Sequence, residues 1–527
     1  MTNSIHVYGV SSRRGRRGVR RTKRRRGWLV VLLVLLVLTA AVWWTTRDTS
    51  PMGRYVPEGQ DYQVFIAGLL EHRDLIVASR LWDLLPEESE YRSVRNNLRN
   101  NFGVPDWVLN NVMRGHCFVS GRDLEQFSDP VVATRMTWIG CLAEKFHVFV
   151  PWVEGDAAGG LRLRHVPDAD LYYAVRGRLL LMSPSREALV RTVTLREEEA
   201  LGEAALAEAL GATGGAPLAG EIGLSPADTL GEVFESVRFA VRLAPESAEL
   251  ALDGRLRPQW QARLAGLVNT AAEGRLMAPP PGLVAVSGNF GAPLGVVWKG
   301  LDTALGPEIN LAGLTAQLAA GAEHSDLAPA LELAAPLFAG LGPKWAVSWV
   351  NVDQQAMVPM PEFVALAQGS PVALREAFTA LPEPPPDAYP WATFPRYDTT
   401  AEVVRVPMPA GPALEPTLGI YGNALLLSSS RPAAEKMLAK RANQQDLQRR
   451  GNLYVRVLPY PCLSAVAEAG RQFADFGLIR GHTAESFEAL FAPWLARAEK
   501  IRDIHVLAAL SEKALMLEAA LELGEAP

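Results

Sequence analysis

The longest apolar run of the chain lies near its N-terminus, where residues 27–46 carry no charged side chain. At ~1.5 Å per residue, a helix of this length spans ~30 Å, the thickness of the hydrocarbon core of a bilayer. Trp28 lies at one end of the run, and Trp43 and Trp44 lie at the other, where indole rings favour the membrane interface. The pattern predicts a transmembrane helix at 27–46; a cleaved signal peptide is the alternative.

The charge distribution sets the orientation of this helix. Residues 1–26 carry ten Arg or Lys side chains and no acidic one, whereas the rest of the chain carries 42 basic and 57 acidic residues. Basic flanks stay in the cytoplasm. We therefore expect a single-pass protein of the inner (plasma) membrane whose body, after a linker at 47–59, lies in the periplasm or outside the cell. An acidic body disfavours nucleic acid as a partner.

Further along the chain, alternating apolar and polar positions predict β-hairpins at 147–166 and 237–256. If the first hairpin turns about Asp156, His147 faces His165 across the ladder, where the two imidazoles could coordinate a metal ion. The sequence supplies no third ligand at a typical spacing, so we predict no metal site. The run "LIVAS" at 75–79 predicts a short strand.

The hydrophobic pattern also recurs. Three stretches of the first half have counterparts, in the same order, in the second half: 75–79 and 283–287, 177–188 and 422–433, 237–247 and 501–511. The middle pair matches without a gap, with seven identical residues of twelve. This predicts a tandem duplication, with one half at 60–275, a proline-rich joint at 276–282 and a second, longer half at 283–524.

The middle repeat has a strand, a serine-rich turn and a helix in each copy. Serine hydroxyls cap helix N-termini, because they accept a hydrogen bond from an otherwise unpaired backbone N–H. Pro184 favours Ser183 as the cap in the first copy, and Pro432 favours Ser429 or Ser430 in the second. A phosphate-binding loop would need glycines after the strand and a following lysine, which both copies lack.

The chain has three cysteines. Cys117 and Cys141 are close enough in sequence to form a disulfide in an oxidising compartment, which leaves Cys462 alone. The alternative is that all three are small buried thiols.

Sequence motifs for catalysis are absent. There is no G-x-S-x-G, no Ser-x-x-Lys and no G-x-G-x-x-G pattern. We therefore assign no catalytic, cofactor-binding or metal-binding residue and predict no cofactor. Spacing alone cannot reveal dispersed carboxylates, so an envelope hydrolase stays an alternative.

An aromatic, proline-rich stretch at 381–395 predicts an extended surface loop. Aromatic side chains often anchor protein interfaces. The candidate partner-binding residues in and beside this loop are Tyr389, Trp391, Phe394 and Tyr397; the alternative is that these rings pack back on the protein.

The basic tail, the single anchor and repeated strand–turn–helix units such as "GRLLLMSPSREALV" resemble bacterial single-pass envelope proteins of a domain-of-unknown-function type. That resemblance implies no catalytic residue. We expect an α+β fold, with two related halves of antiparallel sheet and helices after the transmembrane helix. The predicted function is binding or scaffolding of an envelope protein partner at the bilayer. The alternatives are a hydrolase and a carrier of a lipid or other apolar ligand.

Overall fold

The structure, a computed structural model, describes residues 32–44, 46–47, 50–85, 90–100, 105–113, 115–122, 128–146, 153–167, 170–212, 215–226, 229–265, 274–291, 341–353, 359–380, 396–407, 411–439 and 446–524. Residues 32–44 are helical, and their leucine side chains are exposed. Within the described ranges, no helix has both the length and the apolar character needed to span a bilayer.

The fold is α+β, as predicted, with a large antiparallel sheet and helices. The helices are α1 (Leu69–Ala78), α2 (Glu90–Arg99), α3 (Asp106–Val112), α4 (Trp138–Lys145), α5 (Arg186–Val193), α6 (Gly202–Ala212), α7 (Pro258–Leu264), α8 (Pro371–Thr379), α9 (Arg431–Ala439), α10 (Pro459–Asp475) and α11 (Ala484–Ala498). Short 3₁₀ turns lie at Gly53–Tyr55, Arg80–Leu84, Glu197–Glu199 and Pro412–Leu414.

The strands are β1 (Tyr62–Ile66), β2 (Cys117–Arg122), β3 (Ser128–Arg135), β4 (Val153–Ala158), β5 (Leu161–Val166), β6 (Leu171–Arg176), β7 (Leu179–Ser183), β8 (Leu218–Gly223), β9 (Phe234–Ala244), β10 (Ser247–Leu256), β11 (Arg275–Met277), β12 (Val284–Asn289), β13 (Lys344–Asp353), β14 (Met360–Gln368), β15 (Arg396–Asp398), β16 (Val403–Arg405), β17 (Thr417–Tyr421), β18 (Ala424–Ser428), β19 (Asp446–Arg450), β20 (Leu453–Val457), β21 (Ile501–Leu510) and β22 (Ala514–Leu523).

The chain divides into two compact units. The first comprises Met1–Glu58, Val104–Val119 and Asp129–Glu208, and the second comprises Gly59–Gly103, Ser120–Ser128 and Ala209–Pro527. In the first unit the strands pair in the order β3–β7–β6–β5–β4. In the second they pair in the order β1–β8–β9–β10–β22–β21–β20–β12–β13–β14–β18–β17–β16–β15.

The same strand order occurs twice along the chain. The run β3–β7–β6–β5–β4 has its counterpart in β14–β18–β17–β16–β15. The run β1–β8–β9–β10 has its counterpart in β12–β20–β21–β22. The two copies of the second run meet where β10 pairs with β22.

The repeated strand–turn–helix units have the same local structure. Gly177 and Gly422 both have positive φ, 60° and 63°, in the tight turn before the strand. After the strand, Ser185 caps α5 through the N–H of Ala188 at 3.2 Å, and Ser430 caps α9 through the N–H of Ala433 at 3.2 Å. Both serines are therefore helix caps.

Ser183, the cap that Pro184 favoured, instead accepts a hydrogen bond from the N–H of Ser185. Ser428 accepts the equivalent bond from Ser430. The prediction at Ser183 was wrong because Pro184 lies in the turn itself, before the cap, and not at the first position of the helix. The prediction at Ser430 is confirmed.

Two other expectations were wrong. Residues 75–78 end helix α1 and are not a strand, because a short apolar run is equally compatible with one face of a helix. The hairpin β4–β5 turns at Gly159 and Gly160, so His165 pairs with Val153 rather than with His147. Both glycines have positive φ, which places the turn three residues beyond Asp156.

The core of the second unit lies on both faces of β14 and β18. On one face Leu366 and Leu426 pack with Ala433 and Ala434 of α9. On the other, Leu425 packs with Leu374 and Phe378 of α8. Alternate residues of one buried strand thus serve two apolar layers, which explains the continuous apolar run "ALL" at 424–426; Leu427 lies beyond these layers and is exposed.

Candidate functional site

The most unusual surface of the second unit is one face of the sheet at β9, β10, β22 and β21. Residues paired across these four strands form three apolar rows: Val241, Leu250, Ala519 and Val506; Phe239, Leu252, Leu517 and Ala508; Leu243, Ala248, Leu521 and Ile504. We call these twelve positions the apolar face. Every one of them is half-buried and none is fully buried. The protein therefore covers this face only in part.

The opposite face of the same strands is charged. Arg242 faces Glu249 across β9 and β10 at 3.8 Å, and Arg238 pairs with Glu221 of β8 at 3.0 Å. Most of these side chains are exposed. The alternation of apolar and charged residues along each strand shows that the apolar face is the side that must be covered, since the charged side is stable in water.

Helices contact the two outer strands of this four-stranded region. Helix α1 packs on β9, while α10 and α11 pack on β21. None of the α1 side chains that the structure describes is fully buried. Strand β9 thus contacts α1, and β21 contacts the α10–α11 hairpin, whose helix α10 also reaches β13.

The α10–α11 hairpin connects β20 to β21. Pro459 starts α10 in the first turn, where the missing N–H costs nothing. Thr483 and Ser486 form a reciprocal capping box at the start of α11. The helices approach closely at Gly470, where an added Cβ would lie 2.1 Å from the ring of Phe487. A glycine here lets the aromatic ring lie directly against the backbone of α10.

The hairpin exposes a set of large apolar side chains. Phe476 and Leu478 at its tip are 59% and 62% exposed, and Leu490 and Trp494 on α11 are 53% and 58% exposed. Leu490 and Trp494 lie four residues apart, so they share one face of the helix. The exposed apolar pair Leu490 and Trp494 on one face of α11 is a candidate interaction surface.

A groove of about 480 Å³ opens at the base of the hairpin. It is lined by Leu283, Asn351, Tyr460, Pro461, Ser464, Ala465 and Glu468. Hydrogen bonds from Arg471 and Gln472 lower the pKa of Glu468, which keeps its carboxylate ionised at neutral pH. The groove is therefore lined by both polar and apolar side chains, and the carboxylate at its edge is ion-paired with Arg471.

A second polar cluster lies on the charged face at β20–β22. His505 is buried, with Nδ1 3.6 Å from Asp503 and Nε2 3.7 Å from Glu522. Arg456 donates to Asp503 at 2.7 Å, and the hydrogen bond from Arg502 is the largest factor lowering the pKa of Glu522. Both histidine distances are longer than a hydrogen bond, so His505 contacts the two carboxylates without a direct hydrogen bond to either.

The residues proposed from sequence are placed as follows. Tyr397 packs on Phe378, with ring centroids 5.6 Å apart, and so belongs to the core layer under α8. Tyr389, Trp391 and Phe394 lie outside the described residues, as does His147. Among the predicted partner contacts, only Tyr397 lies within the described residues, and its side chain is half-buried.

The predicted disulfide is not formed in the structure. The Cys117 thiol contacts Thr134 Oγ1 at 3.5 Å, and the Cys141 thiol donates to the carbonyl of Gly177 at 3.2 Å. Burial raises the pKa of both thiols, which keeps them protonated and slow to oxidise. Sequence separation alone could not show that two cysteines on β2 and α4 have different partners.

Comparisons with known proteins do not assign this chain to a family. The chain matches no protein-family model and has no significant match among curated proteins. Three solved structures with some likeness are crystal forms I, IV and III of TP0453. Form I is 7% identical over 40% of this chain and 81% of that chain, with a TM-score of 0.24. Form IV is 10% identical over 43% and 88%, with a TM-score of 0.24, and form III is 7% identical over 44% and 90%, with a TM-score of 0.25. These likenesses carry no conclusion about the function of this chain.

Proposed function

We propose that this protein is a membrane-anchored binding or scaffold protein whose body lies on the outer side of the inner membrane and holds a protein partner there. The uncharged run at 27–46 and the basic residues at 1–26 support the anchor and its orientation. The leucine side chains of the helical stretch 32–44 are exposed on the protein alone. Such exposure is expected of side chains that face lipid when the helix lies in a bilayer. Anchoring raises the effective concentration of weak contacts at the membrane surface.

We infer further that the body arose by tandem duplication. The repeated strand order, the paired glycine turns and the paired serine caps support this inference. The two halves differ where the hairpin lies. Residues 224–233 link β8 to β9 in the first half, whereas 458–500 link the equivalent strands β20 and β21 and include α10 and α11. The α10–α11 hairpin therefore occurs in the second half only, and the sheet of the first half forms without an equivalent of it.

The exposed apolar side chains of the hairpin are the observation that carries the proposal. Trp494 and Phe476 are large, rigid side chains of the kind that anchor protein interfaces. Charged groups lie on the same hairpin: the guanidinium of Arg497 lies 5.4 Å from the Trp494 ring centroid, and Arg471 pairs with Glu468 and Asp475. An apolar centre with a charged rim is the usual composition of a protein–protein interface.

The aromatic loop remains a second proposed contact through Tyr389, Trp391 and Phe394. Tyr397 stays a proposed contact through the exposed part of its side chain, since its half-buried ring also packs on Phe378. Loops carried by a rigid scaffold commonly contribute to binding surfaces.

Photocrosslinking in cells tests the proposal. A photoreactive amino acid at position 494 is expected to give a discrete heavier adduct that contains a second protein. The matched control is position 253, where Asp253 is exposed on the charged face of β10. Adducts from 494 and none from 253 support a partner site on the hairpin. The absence of any adduct from 494, in protein that is folded and membrane-bound, would contradict it.

A further inference from the structure

We propose that helix α4 lies on the bilayer surface and inserts one exposed apolar face among the lipid headgroups; this rests on the proposed membrane anchor at 27–46. The face consists of Trp138, Ile139, Leu142 and Phe146, the last of which caps the C-terminus of α4. We call these four residues the lipid face. Three of them are large and exposed, at 52% for Trp138, 44% for Ile139 and 74% for Phe146, and Leu142 is half-buried.

The lipid face and the packed side of α4 point in opposite directions. The other three members of the lipid face each lie three or four positions from Leu142, so they share one side of the helix. Gly140, Cys141 and Glu144 occupy the other side and are buried. Cys141 packs with Leu180 of β7. The body of the protein thus covers one side of α4 and leaves the apolar lipid face to solvent.

The repeat supplies an internal comparison for α4. Helix α8 connects β14 to β15, as α4 connects the equivalent strands β3 and β4. Thr137 caps α4 by accepting from the N–H of Gly140 at 3.1 Å. Ser370 caps α8 by accepting from the N–H of Ala373 at 3.4 Å. The two caps align the helices residue by residue.

Most of the lipid face has no apolar counterpart on α8. In the aligned helices, Pro371, Arg375 and Thr379 take the places of Trp138, Leu142 and Phe146. Ile139 keeps an exposed apolar counterpart in Val372. The repeated fold therefore does not require exposed aromatic rings on this helix. They occur in the unit that also contains residues 1–58, and with them the proposed anchor.

The chain enters the first unit beside α4. Thr46, the last residue of the uncharged run, is buried, and so is Ser50. The N–H of Gly53 donates to Oε1 of Glu203 at 2.8 Å. Arg135, which ends β3 two residues before the cap of α4, lies 3.9 Å from the same oxygen. One carboxylate thus joins the entering chain to the start of α4.

The β6–β7 turn makes a second connection between the entering chain and α4. Arg176 donates to the hydroxyl of Tyr55, which lies two residues after Gly53. The next residue of the turn, Gly177, accepts the hydrogen bond from the thiol of Cys141 on α4. Both contacts place α4 at the end of the first unit where the chain arrives from the anchor.

The short connection selects the bilayer as the surface that covers the lipid face. Even fully extended, the seven residues from Thr46 to Gly53 span at most ~25 Å, so an anchored protein keeps this end of the unit at the membrane. Tryptophan favours the headgroup level, and an apolar helix face is buried at the boundary between headgroups and acyl chains. In detergent the micelle around the anchor covers the same face, so Trp138 is equally accessible in membranes and in detergent.

The exposed charges of α3 and α4 do not demand an anionic lipid. Lys145 is exposed at the end of α4, where its long side chain can keep the ammonium group in water. Asp106 is exposed at the start of α3, and α3 is tied to α4 by a hydrogen bond from Thr137 to Asn111 at 2.6 Å. One cation and one anion leave apolar burial as the driving force, so zwitterionic lipid is sufficient.

Quenching by lipid tests the docking. Full-length protein carrying Cys462→Ser, in which the remaining cysteines are buried, is reconstituted in phosphatidylcholine nanodiscs. An NBD fluorophore is attached through Phe146→Cys or, as the matched control, through Glu187→Cys, which is exposed on the charged side of α5. Phosphatidylcholine with a nitroxide on its acyl chain is expected to quench the fluorophore at 146 several-fold more than the one at 187.

A paired substitution separates lipid contact from local packing. Trp138→Glu with Ile139→Glu places two charges on the lipid face and is expected to abolish the extra quenching at 146. Val372→Glu, an exposed site on the equivalent helix α8, should leave it unchanged. Circular dichroism confirms that each variant is folded.

The outcomes distinguish the docking from the anchor. Equal quenching at 146 and 187 in protein that co-elutes with the discs would overturn the docking and leave the anchor standing. Quenching at 146 that the paired substitution does not change would also overturn it. Protein that fails to co-elute with the discs would contradict the anchor, and the docking with it.

Discussion

Replacing Leu426 with alanine is expected to destabilise the second unit by about 2–5 kcal/mol, because the substitution leaves a cavity in a closely packed layer. Leu426 has no exposed surface and lies opposite Leu366 in the ladder, under Ala433 of α9. Its counterpart in the first copy of the repeat is Leu181, which is 1% exposed. Leu181→Ala should therefore cost the first unit a similar amount.

The neighbouring residue supplies the control. Leu427 follows Leu426 on the same strand but is 36% exposed, so Leu427→Ala should cost less than about 1 kcal/mol. The measurement is the midpoint of denaturant unfolding for each variant, at unchanged slope. Equal losses for Leu426→Ala and Leu427→Ala would show that the strand does not lie between these layers.

Two arginines in the apolar run are expected to release the protein from the membrane. On insertion scales each arginine near the centre of a transmembrane helix costs about 2.5–3.5 kcal/mol, so Leu35→Arg with Leu38→Arg costs about 5–7 kcal/mol. The readout is the amount of protein in carbonate-washed membranes. Leu35→Ile with Leu38→Ile, which keeps the run apolar, should stay in that fraction. Retention of the double-arginine variant there would show that the anchor lies elsewhere.

The sequence predicts the framework of this protein well where local signals agree. The alternation of apolar and polar residues at 237–256 predicts the hairpin β9–β10. At 177–188 and 422–433 a glycine before the strand, serines at the helix start and the spacing of apolar residues predict a strand, a turn and a helix. The strand predicted at 75–79 failed, since five apolar residues do not distinguish a strand from the end of a helix.

The candidate sites depend on tertiary structure and were largely invisible to sequence reading. Phe487, Leu490 and Trp494 have helical spacing, which predicts an apolar face on α11. Whether such a face is buried or exposed depends on how the hairpin docks, and no local pattern encodes that. The apolar face likewise exists only because β10 pairs with β22, across more than 250 residues of sequence. The aromatic residues of the sequence instead suggested Tyr397 as a partner contact, but its ring packs on Phe378 in the structure.

Oxidative footprinting of Trp494 tests the central claim, that the hairpin is covered by a partner when the protein is in its membrane. Hydroxyl radicals are generated in native membranes and, separately, with purified protein in detergent. Trp138 on α4, which is 52% exposed, is the reference. The account predicts that Trp494 is oxidised several-fold less in native membranes than in purified protein, while Trp138 is oxidised equally in both. Equal oxidation of Trp494 in the two preparations would contradict it.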